Sequence, residues 1–150
     1  MLREDIQNAL KEAMKAQNMP EVNAIRMIIA GQKEKDVDAR GKGKPQAEDA
    51  DLLSMMQTMI KQRRESIDMF VKGGRPELAE KEENEIKIIE RFLPKQLSGA
   101  EVEAAVKAVI SSTGAASMKD MGKVMGALRA QYAGQMDFGA VSGIIKSLLS

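Results

Sequence analysis

Lys119, Gly122, Lys123, Gly126 and Arg129 share one side of a helix when residues 117–133 are wound at ~100° per residue, because they then fall within an arc of ~120°. That arc is bare at its centre and cationic at its edges. Gly139, Ser142, Gly143 and Lys146 repeat the arrangement one segment later. An interior helical glycine costs about 1 kcal/mol relative to alanine, so two per helix call for an offsetting contact. One such contact is an anion that must approach the backbone closely, and the phosphate backbone of a nucleic acid is an example. Another is a close crossing with a helix of the same protein, where small residues are common. The spacing leaves both open.

Bond-making chemistry has few carriers here. Cysteine and histidine are absent, which removes thiol nucleophiles, disulfides, the commonest general base and the commonest zinc ligand. No loop has the carboxylate spacing of a Mg²⁺ or Ca²⁺ site. No Walker-type loop or glycine-serine-rich amidase stretch occurs, and Ser111-Ser112 reads as the fraying end of a helix. Catalytic residues, metals and cofactors are therefore not expected. Net charge is +1, so any pull on an anionic partner must come from a local patch. One tyrosine, three phenylalanines and no tryptophan do not suffice for both a core and a base-stacking platform. A bound RNA would be held by shape and phosphate contacts. No apolar run approaches the roughly 20 residues that span a bilayer. Acidic residues near the N-terminus stand where a signal peptide has its apolar stretch. A cytoplasmic protein with no membrane partner is expected.

The elements that must position the glycine faces read as helices throughout. Leu2, Ile6, Leu10 and Met14 step by four over residues 2–17. Asn18-Met-Pro20 breaks the chain. Val22, Ile25, Ile28 and Ile29 mark a second helix from Glu21, with a charged extension to Arg40. Gly41-Lys-Gly-Lys-Pro45 then reads as a mobile basic loop. Leu52, Met56, Met59, Ile60, Arg63, Ile67 and Phe70 hold one face of a helix over 47–72. Arg63 interrupts that face and needs a partner, since an unpaired buried charge is costly. Gly73-Gly74 ends this helix, and Pro76 suits the first turn of the next, over 76–92. The two are expected to run antiparallel, with Arg63 and Arg75 pairing with acids among Glu82, Glu83 and Glu85 as a structural lock. The twelve methionines read chiefly as core filler.

Pro94 closes that helix, and Ser98 with Glu101 forms a capping box that opens another. Val102, Val106, Val109 and Ile110 are its core face, and Gly114 its C-cap. Ser117 with Asp120 resembles a second capping box. Met121, Val124, Met125, Leu128 and Tyr132 supply the apolar stripe behind the first glycine arc. Gly134 is placed to stop that helix. Asp137 can cap the last one, whose stripe is Val141, Ile144, Ile145 and Leu148. No stretch alternates with period two. An all-α protein is expected, with an N-terminal antiparallel helical domain over 1–93 and a three-helix module over 97–150.

Lys119-Asp-Met-Gly-Lys-Val-Met-Gly, the later Gly134 and Asp137, and Val141-Ser-Gly-Ile-Ile-Lys resemble the C-terminal part of the YqeY family. Phe92-Leu-Pro-Lys-Gln-Leu-Ser98, Lys61-Gln-Arg-Arg-Glu-Ser66 and Gly73-Gly-Arg75 extend the likeness over essentially the whole chain and mark those charges as family features. The same C-terminal module forms the tail of the B subunit of the tRNA-dependent amidotransferases. Those enzymes convert glutamyl-tRNA(Gln) or aspartyl-tRNA(Asn) to the amide form, and their tail contacts tRNA. The resemblance therefore implies tRNA as the anionic partner. Together with the arcs above, this makes Lys119, Gly122, Lys123, Gly126, Arg129 and Lys146 the expected RNA-binding set, and the resemblance suggests components of an amidotransferase or an aminoacyl-tRNA synthetase as protein partners.

The expected function is a non-catalytic tRNA-associated helical protein. A second reading is an accessory part of a glutamine-dependent carbon–nitrogen ligase, the label attached to the family through its shared tail. A third is an adaptor whose glycine faces dock a partner helix.

Overall fold

The computed structural model describes residues 1–149. Among them are seven α-helices, one single-turn 3-10 helix and no strand, so the protein is all-α. The chain divides into two compact units, Met1–Leu93 and Pro94–Ser150.

In the first unit α1 (Leu2–Lys15) and α2 (Met19–Gly41) are separated by Gln17, which takes a left-handed φ of +55°. Asn18 caps α2 by accepting a hydrogen bond from the Glu21 amide at 3.3 Å, which satisfies an amide that the first turn leaves unpaired. α2 begins at Met19, two residues earlier than periodicity alone indicates, because Asn18 and Pro20 together make a helix start. α3 (Asp49–Lys72) and α4 (Pro76–Glu90) are joined by Gly73-Gly-Arg75, where Gly74 adopts φ +71°. So short a link turns α4 back along α3. Ile6, Val22, Ile25, Ile28, Met56, Ile60, Ile86 and Ile89 form the core. Each fully buried side chain of this kind contributes about 1.5–3 kcal/mol against exposure. Gly31 marks a tight crossing of α2 over α3, since a Cβ built there would stand 2.6 Å from the Met55 Sδ.

Arg63 is buried at 7% exposure. Its Nε donates to Glu85 at 2.9 Å and lies 3.8 Å from Glu82. Its two terminal nitrogens donate to the Met59 carbonyl and the Met27 thioether. Arg75 differs from expectation. Its Nε bonds Glu77 at 2.9 Å, because it precedes α4 and its side chain lies beside the first turn of that helix.

The charged extension of α2 is helical and is also anchored. Asp36 accepts from Arg3 and from the Ala47 amide, and Arg3 donates in turn to the Ala47 carbonyl at 2.8 Å. Ala39, Ala47 and Leu52 pack together under this network. The basic segment after Gly41 is thus held at both ends, and the Lys44 amide bonds back to Ala39. Expecting a wholly mobile loop overlooked these long-range partners, which periodicity does not encode.

In the second unit α5 (Gly99–Thr113), the 3-10 turn Met118–Asp120, α6 (Met121–Tyr132) and α7 (Phe138–Leu149) enclose Val106, Val109, Val124, Leu128, Met136, Val141 and Ile145. α5, α6 and α7 each touch the other two.

Candidate nucleic-acid interface

The ends of α5 and α6 are set by their own residues. Ser98 and Glu101 make the reciprocal capping box, with bonds of 3.0 and 3.2 Å. α5 stops at Gly114 in the left-handed conformation, φ +68°. The Asp120 carboxylate accepts from the amides of Ala116 and Ser117, which lower its pKa below the ordinary value. Gly134 adopts φ +77° beyond α6. Its carbonyl accepts from Gln96, and the Leu97 amide donates to Gln135 at 2.9 Å. The chain entering α5 thereby fixes the turn that separates α6 from α7. Asp137 caps α7 by accepting from the Gly139 amide at 2.9 Å.

Val124 and Leu128 are fully buried, with Met121, Met125 and Tyr132 packed beside them. This leaves the opposite side of α6 to solvent. Gly122, Lys123, Gly126 and Arg129 are exposed on α6. Lys119 is also exposed but stands on the 3-10 turn before the helix, because α6 starts only at Met121 and not at Ser117 as the spacing predicts. Lys146 is exposed too, on α7. A Cβ built at Gly122, Gly126 or Gly143 would find open space, with nothing within 4 Å. At Gly139 it would meet the capping carboxylate of Asp137 at 3.2 Å. Close helix crossing therefore explains none of these four glycines among the described residues. Gly31 is a crossing glycine of that kind, and no periodic signal singled it out, because its meaning depends on Met55, 24 positions away.

Two cations of the arc rest against neutral groups. Lys123 Nζ donates to the Thr113 carbonyl at 3.0 Å, at the C-terminal end of α5 where the helix dipole favours a cation. The Arg129 guanidinium stands 5.8 Å above the Phe138 ring, within cation–π range. Residues 94–150 contain six Lys and Arg and four Asp and Glu. Glu101, Asp120 and Asp137 are engaged as helix caps, and Glu103 pairs with Lys107 at 3.2 Å. Among the described residues no carboxylate makes a direct ion pair with Lys119, Lys123, Arg129 or Lys146, although Asp120 stands near enough to Lys123 for the lysine's charge to help lower its pKa. Among the described residues no group of three or more acids is placed to hold a metal, and no helix is long and apolar enough to cross a membrane.

A family model described as Yqey-like protein matches residues 3–149. Altered inheritance of mitochondria protein 41, mitochondrial, from Lachancea thermotolerans is 36% identical over 109 residues, which is 71% of this chain and 57% of the relative. The protein of the same name from Kluyveromyces lactis is 36% identical over 105 residues, 68% of this chain and 55% of its own length. An uncharacterised protein of Schizosaccharomyces pombe is 30% identical over 94 residues, 62% of this chain and 72% of its own. The chain spans about half the length of the two mitochondrial relatives. Their names correct the expectation of a cytoplasmic protein, since these relatives are mitochondrial. The physical reason is that a cysteine-free chain without an apolar span suits any aqueous compartment, so composition does not select the cytoplasm among them.

Proposed function

The chain belongs to the Yqey-like protein family, and from that premise we propose that it is a non-catalytic helical protein that associates with tRNA through its phosphate backbone. Residues 1–93 act as a helical N-terminal domain and residues 97–150 as the three-helix module that meets the RNA. Lys119, Lys123 and Arg129, joined by Lys146, supply the charge. Gly122 and Gly126 let a phosphate come up against the α6 backbone. Amidotransferase or aminoacyl-tRNA synthetase components are the protein partners that fit this role. The observation that carries the proposal is the open space over Gly122 and Gly126 beside exposed cations that make no direct ion pair among the described residues. An interior glycine that spends helix stability on no internal contact is consistent with an external one.

Titration of bulk tRNA at two salt concentrations tests this. Affinity is expected to fall on a log–log plot with a slope near the number of phosphates neutralised. Replacing Lys123→Glu together with Arg129→Glu is expected to lower affinity about tenfold or more, with the helical circular dichroism unchanged because both side chains are exposed. An affinity that survives the double reversal removes these residues from the interface.

A further inference from the structure

Arg63 carries five N–H donors in a planar fork, and its side chain is 8% exposed. Nε donates to Glu85 at 2.9 Å and Nη1 to the Met59 carbonyl at 3.2 Å. Nη2 has the weakest partner of the three, the Met27 sulfur at 3.4 Å. A thioether is a poor acceptor, and a weak bond matters most where little water can make up the difference. Met27 is also the open side of this cluster. It is 47% exposed, whereas the side chains of Glu82 and Glu85 are 23% and 16% exposed. A half-exposed sulfur from α2 therefore rests against a buried cation from α3, which is itself paired with acids of α4.

We propose that Met27 is an oxidation site of this protein and that its sulfoxide is held by Arg63. The oxidant is hydrogen peroxide. A sulfur lone pair attacks one peroxide oxygen, the S–O bond forms as the O–O bond breaks, and the proton on the transferred oxygen passes to the departing hydroxide, which leaves as water. Sulfur gives up two electrons and the peroxide takes them. A sulfoxide ordinarily disrupts packing because it sets a polar group among apolar ones. At Met27 the new oxygen meets a cation, and a charge-assisted hydrogen bond from Nη2 replaces contact with a poor acceptor. Met27 has three rotatable bonds and a half-exposed side chain, so it can turn the oxygen toward Nη2 and draw the sulfur back to make room. Met14, Met19 and Met69 are more exposed, but their sulfurs take no hydrogen bond among the described residues. Oxidation there alters the surface, whereas at Met27 it tightens the junction of α2, α3 and α4. The change is reversible, since reductases return a sulfoxide to the thioether.

Treating the folded full chain with hydrogen peroxide tests the proposal, with peptide mass spectrometry reading sulfoxide at each methionine and urea unfolding reading stability. Met27 is expected to oxidise along with Met14 and Met69, and well before the fully buried Met56. Met27→Leu, treated in parallel, cancels the effect of the other methionines. Measured relative to that variant, the urea midpoint of the unaltered chain is expected to rise on oxidation and to return after treatment with methionine sulfoxide reductases. When both chains also carry Arg63→Met with Glu85→Leu, the cation is gone, and oxidation is expected to lower the relative midpoint instead. Should peroxide unfold the chain through its other methionines, Met27→Gln, which offers an amide oxygen to Nη2 without any oxidant, is expected to have a higher midpoint than Met27→Leu. A Met27 that stays reduced while Met14 and Met69 oxidise overturns the proposal. So does a relative midpoint that fails to rise, one that rises equally without Arg63, or a glutamine variant no more stable than the leucine one.

Discussion

At the scale of single residues, Arg63 and Asp36 are charges of the first unit held by partners distant in sequence. Arg63 lies within the apolar face of α3 and is satisfied by a carboxylate, a carbonyl and a thioether. Arg63→Ala would leave Glu85, only 16% exposed, without its cation. Breaking a buried pair in this way costs roughly 3–5 kcal/mol, and urea unfolding measures it. Replacing both partners with apolar side chains, as in Arg63→Met with Glu85→Leu, is expected to restore much of that loss, because no buried charge is then left alone. Asp36 offers a test by pH. The Arg3 hydrogen bond holds its carboxyl well below the ordinary value of 3.8, at about 2, with the Ala47 amide adding to the effect. A depressed folded-state pKa stabilises the protein above the unfolded value, and that contribution is lost as pH falls through the folded one. Thermal stability is therefore expected to drop between about pH 4 and pH 2. Asp36→Asn is expected to be less stable at neutral pH and less sensitive across that window.

At the scale of elements, α6 shows how a helix retains an unfavourable composition. Gly122 and Gly126 weaken it by about 1 kcal/mol each relative to alanine, and neither has a neighbour that an added methyl would strike. Gly122→Ala and Gly126→Ala are accordingly expected to raise the melting temperature while lowering tRNA affinity. A stabilised variant that binds tRNA as well as before would mean that the bare backbone plays no part in contact. Gly31 on α2 is the opposite case. Its missing side chain is occupied by Met55, and a larger residue there overpacks the crossing, which typically costs 1–3 kcal/mol.

At the scale of the whole molecule, the two units are built around separate clusters, one centred on Ile25, Ile28 and Met56 and the other on Val106, Leu128 and Ile145. A core lesion in one unit is therefore expected to leave the other standing. Leu128→Ala, at a fully buried position, should remove about 2–5 kcal/mol from residues 94–150. Calorimetry is expected to show one transition lowered and another unmoved. A single transition that shifts as a whole would show that the units unfold together.

The sequence by itself determined the helices, because apolar spacing, caps and glycine stops are local and each is written within a few residues. Ser98 with Glu101 and Gly114 act in the structure as their spacing indicates, whereas the Ser117–Asp120 box opens a 3-10 turn ahead of α6. It also singled out Arg63 as a charge in need of a partner. Only the tertiary structure decided which partner. Glu85 lies 22 positions away, and Arg75 turned instead to the nearby Glu77. The same holds for the anchoring of the basic segment by Arg3 and Asp36, and for the two kinds of glycine. Spacing alone does not tell a glycine facing solvent from one pressed against a neighbour. That difference depends on which atoms from distant parts of the chain arrive beside it, and folding brings them there.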